Sequence, residues 1–120
     1  MCIRDRFVYY TEKNSPCEDE MDYELDGDDF SFERGTWVTV EHHVVMNGAG
    51  EADGALEAWI DGAPVLALSD FVYRVEDATF GIDAFFFSTY FGGTDLTYSP
   101  KMAQTLDYDD FIVSTAPISH

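Results

Sequence analysis

Residues 80–93 read FGIDAFFFSTYFGG, an aromatic run that ends in a pair of glycines. Aromatic and hydroxyl residues at this density, without a helix cap, predict a strand from Phe80 to Phe91 in the middle of a sheet. The two glycines permit a sharp bend or a close approach to the backbone. The hydroxyl groups of Ser88 and Tyr90 are therefore expected beside a turn, which makes this the first place to look for a site.

The composition indicates one acidic domain. A chain of 120 residues with 46% hydrophobic content suffices for a single compact domain and is too short for two. Acidic residues number 24 against 6 basic ones, which gives a formal net charge of -18. Such a surface repels nucleic acid and anionic membranes, so neither is an expected partner. No apolar run is long enough to span a bilayer.

The first six residues, Met1 to Arg6, are too short and too charged for a signal peptide. They resemble the translated adapter sequence found at the start of metagenomic reading frames, and we expect them to be non-native. The expected domain is then residues 7–120, a single β-sandwich that is incomplete at its N-terminus. A disulfide between Cys2 and Cys17 is not assumed, so the cysteines do not define the redox compartment.

An acidic stretch surrounds Gly27 and raises the question of a calcium site, because calcium prefers clustered carboxylate oxygens. Its carboxylates are Asp22, Glu24, Asp26, Asp28 and Asp29. The spacing does not fit an EF-hand loop, and no glutamate stands at the twelfth position. A solvated acidic loop is favoured over a metal site.

Short runs with alternating polarity, separated by turn signals, indicate an all-β protein. Asp61-Gly62 is a strong hairpin signal between two of these runs. About seven strands with no helical period favour an antiparallel β-sandwich. Besides the aromatic run, the predicted strands are Phe7 to Thr11, Thr36 to Met46, Ala55 to Ile60, Pro64 to Leu68, Phe71 to Arg74 and Tyr108 to Thr115.

Two of these strands are expected to present polar side chains on one open surface. Alternation places Glu41 and His43 on one face of their strand, and Glu57 and Trp59 on one face of the next. His42 lies among valines on the opposite face, so it is predicted to be a buried core histidine. The Trp59 indole is either a sugar-stacking platform or ordinary packing under a loop, and the pattern does not choose between them.

An ordered series of motifs lies across Phe30 to Thr115. The motifs are Gly35-Thr36-Trp37, Val44-Val45-Met46-Asn47, Asp53-Gly54-Ala55-Leu56-Glu57-Ala58-Trp59-Ile60-Asp61-Gly62, Tyr73-Arg74, Phe87-Ser88-Thr89-Tyr90-Phe91-Gly92-Gly93 and Asp109-Asp110-Phe111. In this order they resemble the C-terminal half of the family 14 polysaccharide lyase domain, a family that includes alginate and glucuronate lyases. The resemblance implies a concanavalin-like β-jelly-roll.

The resemblance further implies β-elimination on a uronic-acid polysaccharide, with no metal or other cofactor. By that resemblance Tyr90 is the candidate acid and base, while Arg74 and His43 are the candidates that act on the uronate carboxylate. The sequence departs from the family pattern in two ways. Ser88 stands where the first member of a tyrosine pair is expected, and the strand from Thr36 contains no lysine, so His43 is the nearest substitute.

Three alternatives stay open at this point. The first is a lyase, the second is a non-catalytic carbohydrate-binding domain that uses the same surface, and the third is a purely structural sandwich module. In the first two cases the expected partner is an acidic polysaccharide. The resemblance implies secretion, and a monomer is expected. The candidate substrate-binding residues are Trp59, Glu41, Glu57, Ser88 and Lys101.

Overall fold

The computed structural model describes residues 7–8, 19–20, 23–89, 97 and 99–118. Within these residues the regular structure is antiparallel β-sheet, and there is no α-helix. The predicted all-β, antiparallel fold class is therefore confirmed and is consistent with a sandwich, while the jelly-roll strand order stays a prediction. No helix in the described part of the chain could cross a membrane.

The described strands form two two-stranded sheets and one three-stranded sheet. Strand β1 pairs with β2, β3 pairs with β4, and β6 lies between β5 and β7 in the larger sheet. All of these pairings are antiparallel. The strands are β1 Phe7–Val8, β2 Asp19–Glu20, β3 Glu24–Leu25, β4 Asp28–Asp29, β5 Val40–Val45, β6 Gly54–Ile60 and β7 Ala63–Phe71.

The turn between β6 and β7 is the predicted hairpin. Asp61 has a φ of 49° and Gly62 a φ of 79°, the two positive values that a two-residue type I′ turn requires. Asp61 also fixes the start of β5: its carboxylate accepts a hydrogen bond from the Thr39 amide at 2.8 Å, and its own amide donates to the Thr39 carbonyl at 2.9 Å. The hairpin thus ties all three strands together at one end of the sheet.

A small core covers one face of this sheet. Its buried members are Tyr23, Ala58, Ile60 and Val65. Leu25, Phe30, Val38 and Leu66 pack around them. Tyr23 and Leu25 belong to the acidic segment that was predicted to be a solvated loop. That segment is a hairpin turning at Asp26 and Gly27, which have φ values of 55° and 88°.

The carboxylates of this hairpin are solvated while its apolar side chains pack on the sheet. Asp26, Asp28 and Asp29 are exposed. Among the described residues no group of three or more histidine, cysteine, aspartate or glutamate side chains lies close enough to hold a metal ion. Asp22 lies outside the described residues.

The aromatic run is not the central strand, and the prediction from Phe80 to Phe91 is wrong over residues 80–89. These residues form no strand, all of them are exposed, and Phe86 is 87% exposed. Strand β6 is central instead. Aromatic density gives a segment a preference for extended backbone, but a strand also needs a neighbour for its hydrogen bonds, and none is present in the described part of the chain. The rest of the run, 90–93, lies outside it.

Two other strand predictions also differ from the structure. Strand β7 continues through Phe71, so no separate strand runs from Phe71 to Arg74. The segment from Tyr108 to Thr115 is exposed and forms no strand. It nevertheless contacts the aromatic run: the Phe87 ring lies 4.7 Å from that of Tyr108 and 4.9 Å from that of Phe111, both edge to face.

Candidate functional site

Four side chains on β5 and β6 form one surface, which we call the polar sheet face. Glu41 lies directly across from Trp59, and His43 directly across from Glu57. Residues paired in this way lie on the same side of a sheet, with Cβ atoms about 5 Å apart. The prediction that these four residues share a surface is therefore confirmed.

His43 and Glu57 are bonded to each other across the strand pair. His43 Nδ1 lies 2.9 Å from Glu57 Oε2, and the two side chains are 56% and 40% exposed. A carboxylate can only accept, so the proton of this hydrogen bond is on Nδ1. In the neutral imidazole the other ring nitrogen, Nε2, is then an acceptor.

The prediction that His42 is buried is wrong. The residue does lie on the core side of the sheet, opposite Ala58. Because β5 has a sheet neighbour on one side only among the described residues, the flank of the His42 ring stays open and the residue is exposed. Its Nε2 is hydrogen-bonded to the hydroxyl of the buried Tyr23.

Trp59 occupies the middle of the polar sheet face. It lies between Glu41 on β5 and Pro64 on β7, and it is half-buried. Part of the side chain is therefore available to solvent. The geometry is compatible with stacking on a sugar ring, for which an aromatic face is the usual partner.

Arg74 lies at the end of the sheet where β5 ends and β6 begins, and its guanidinium is held by backbone carbonyls. Nε donates to the Asn47 carbonyl at 2.6 Å, and Nη1 donates to the Phe80 carbonyl at 2.9 Å. A guanidinium carries five N–H donors, so these two bonds orient the group without exhausting it.

Asn47 fixes the backbone of Arg74 and was not identified from the sequence. It is fully buried. Its Oδ1 accepts from the Arg74 amide at 3.0 Å, and its Nδ2 donates to the Arg74 carbonyl at 2.9 Å. Nδ2 also donates to the carbonyls of Gly48 and Glu51. An asparagine beside glycines is typical of a turn, and that pattern conceals the longer-range role.

Tyr73 holds the chain just before Arg74. Its hydroxyl donates to the Ala55 carbonyl at 3.2 Å, and its ring packs against Phe71. Burial raises the pKa of the Tyr73 phenol. The ring also passes over Gly54, where a Cβ would lie 2.7 Å from the Phe71 carbonyl and 3.0 Å from the Tyr73 ring. Only glycine fits at this position.

The remaining predicted site residues are not brought onto the polar sheet face by the described structure. Ser88 and Lys101 are exposed and lie on segments outside the three-stranded sheet. Within the described part of the chain neither makes a hydrogen bond or ion pair with that face. Tyr90 lies outside the described residues.

The fold and this face define an all-β protein with an open, polar sheet surface. The sequence model of one family, Polysaccharide lyase 14, matches residues 4–111. The chain therefore belongs to the polysaccharide lyase 14 family, and a polysaccharide is the substrate that this membership implies. Searches of curated proteins and of solved structures gave no significant match.

Proposed function

We propose that this protein cleaves a uronic-acid polysaccharide, alginate or glucuronan, by β-elimination. The observation that carries the proposal is the family match over residues 4–111. The polar sheet face supports it, because a histidine and a partly exposed indole lie together on one open surface. These are the two kinds of side chain that a polysaccharide site needs, one for proton transfer and one for stacking.

The reaction makes three demands on the site. A donor or cation must neutralise the uronate carboxylate, a base must remove the proton alpha to it, and an acid must protonate the departing glycosidic oxygen. We assign Arg74 to the carboxylate, because its guanidinium is pre-oriented and keeps donors to offer. We assign Tyr90 to proton transfer and place His43 beside the reacting sugar.

The other assignments concern binding. Trp59 is the stacking platform, and Glu41 and Glu57 accept hydrogen bonds from sugar hydroxyls beside it. Ser88 and Lys101 would reach the polymer from the segments outside the sheet. We further propose that the protein is secreted, because its substrate would be an extracellular polymer, and that it acts as a monomer.

The net charge of -18 opposes the approach of a polyanion. Salt screens this repulsion beyond about 8 Å at physiological ionic strength. Binding then depends on local charges inside that distance, where Arg74 can form charge-assisted hydrogen bonds to a carboxylate. The site therefore does not require a basic protein.

The proposal is tested by following ultraviolet absorbance, because elimination creates an unsaturated uronate that absorbs there. The protein is incubated with alginate, glucuronan and a neutral polymer such as cellulose. Absorbance should rise with at least one uronate polymer and stay flat with the neutral one. Arg74→Ala and Tyr90→Phe should each reduce the rate about 100-fold or more.

Two control variants remove an arginine charge or a tyrosine hydroxyl outside the proposed site. Arg34→Ala, on an exposed residue, and Tyr108→Phe should keep the wild-type rate. Equal rates in Arg74→Ala and Arg34→Ala would remove the assignment of Arg74. Binding to a uronate polymer without any absorbance change would instead place the protein among non-catalytic carbohydrate-binding domains.

A further inference from the structure

We propose that Glu57 is a positioning residue that makes His43 the proton-abstracting base, and this inference rests on the proposed function. The family resemblance implies that His43 acts on the uronate carboxylate, and Glu57 is a candidate substrate-binding residue. The observed bond between His43 Nδ1 and Glu57 Oε2, at 2.9 Å, points to a different division of roles.

The position of the pair is fixed by the sheet. His43 and Glu57 are directly opposed, and the pairs on both sides of them, His42 with Ala58 and Val44 with Leu56, keep the same register. A side-chain bond between opposed residues needs no loop to order it. The imidazole is thereby held with Nδ1 towards Glu57 and Nε2 away from it.

This orientation determines which nitrogen can accept a proton. Nδ1–H donates its hydrogen bond to the carboxylate, so the lone pair of the neutral ring is on Nε2. The His43 side chain is 56% exposed, so an approaching polymer can reach the ring. A base oriented by a third group through its other nitrogen is the arrangement that general-base catalysis uses repeatedly.

The same bond makes His43 a poor partner for a uronate carboxylate. When His43 is protonated, Glu57 already compensates its charge. A substrate carboxylate would meet little net positive charge at this point. Neutralising the uronate therefore falls to Arg74, which leaves His43 available for proton transfer.

His43 Nε2 takes the proton from the carbon alpha to the carboxylate, and the C–H electron pair forms a double bond to the adjacent carbon. The glycosidic C–O bond on that carbon breaks, and the departing oxygen takes a proton from an acid. In this step His43 replaces Tyr90 as the base, and Tyr90 keeps only the role of acid. Glu57 stabilises the His43 imidazolium until the imidazolium releases the proton to solvent.

The test measures both the tautomer and the rate on the whole protein. Nitrogen-15 NMR of wild type should show neutral His43 protonated on Nδ1, and Glu57→Gln should raise the share protonated on Nε2. Because general bases contribute about 10²- to 10⁴-fold, His43→Gln should lose at least about 100-fold in kcat on the responsive polymer. Glu57→Gln should lose about tenfold or more, with KM changed less than about threefold.

Glu33→Gln is the matched control, because it removes one exposed carboxylate away from the polar sheet face. It should leave the tautomer, kcat and KM unchanged. If wild type eliminates but Glu57→Gln keeps its kcat, or its His43 tautomer is unchanged, the positioning role is overturned and the lyase function stands. If wild type gives no elimination product with any uronate polymer, the proposed function fails, and the base assignment fails with it.

Discussion

Asn47 and Arg74 are joined by three hydrogen bonds, two between the Asn47 side chain and the Arg74 backbone and one from Arg74 Nε to the Asn47 carbonyl. The two residues are 27 positions apart in the chain. Their connection therefore links the turn after β5 to the segment after β7. It holds Arg74, the cation proposed to neutralise the uronate carboxylate.

We expect Asn47→Ala to destabilise the fold. Removing the side chain leaves the Arg74 amide and the Glu51 carbonyl without their partner, whereas the carbonyls of Arg74 and Gly48 keep backbone donors from Gly50 and Glu51. At about 1 to 3 kcal/mol for each group that water cannot reach, we expect a loss of about 2 to 4 kcal/mol in the free energy of unfolding. Urea denaturation measures it, with Gln104→Ala on an exposed residue as control. A loss below about 0.5 kcal/mol would show that the contact contributes little.

Gly54→Ala should destabilise for a steric reason. The new Cβ would lie 2.7 Å from the Phe71 carbonyl, closer than real Cβ contacts, so β6 and β7 must separate. We expect a loss of about 1 to 3 kcal/mol. Gly81→Ala is the matched control, since nothing lies within 4 Å of its Cβ position. Equal denaturation midpoints in the two variants would contradict the close approach.

The raised pKa of Tyr73 predicts a loss of stability in alkali. The unfolded chain releases this phenolic proton near pH 10, whereas the folded chain retains it because burial disfavours the phenolate. Between the two pKa values the unfolded state binds fewer protons, so the free energy of unfolding falls as pH rises. Well below pH 10 the Tyr73 phenol is protonated in both states, so it does not make the free energy of unfolding depend on pH.

Tyr73→Phe is the test of this pH dependence. The variant should lose about 1 kcal/mol at neutral pH with the hydrogen bond to Ala55, and its stability should fall less steeply above pH 10. Urea denaturation between pH 7 and pH 11 compares the slopes. Parallel curves for wild type and variant would mean that Tyr73 does not titrate differently in the folded state.

The local features of this fold were predictable from sequence and the longer-range ones were not. Asp61-Gly62 specifies its turn by itself, and alternation along β5 and β6 is enough to place His43 opposite Glu57. The aromatic run was wrongly predicted to be a strand, because a strand needs a neighbouring strand that can be distant in the sequence. The role of Asn47 could not be predicted for the same reason, since its partner Arg74 is identified only once the chain has folded.

Salt should favour turnover of a uronate polymer. Protein and polymer are both anionic, and their repulsion acts over about 30 Å at 10 mM salt but only about 8 Å at 150 mM. We therefore expect KM to fall between these two concentrations, with kcat nearly constant. Proteins that bind polyanions through a basic surface show the opposite trend. A KM that rises with salt would indicate that local cations, rather than the net charge of -18, control binding.

Mass spectrometry of the products from alginate and glucuronan tests the lyase assignment most directly. Elimination forms an unsaturated sugar at the new non-reducing end, so each such oligomer lacks the elements of one water relative to the hydrolysis product of the same length. We predict oligomers with this deficit from at least one of the two polymers. Fully hydrated oligomers, or an unchanged polymer in both cases, would contradict β-elimination by this protein.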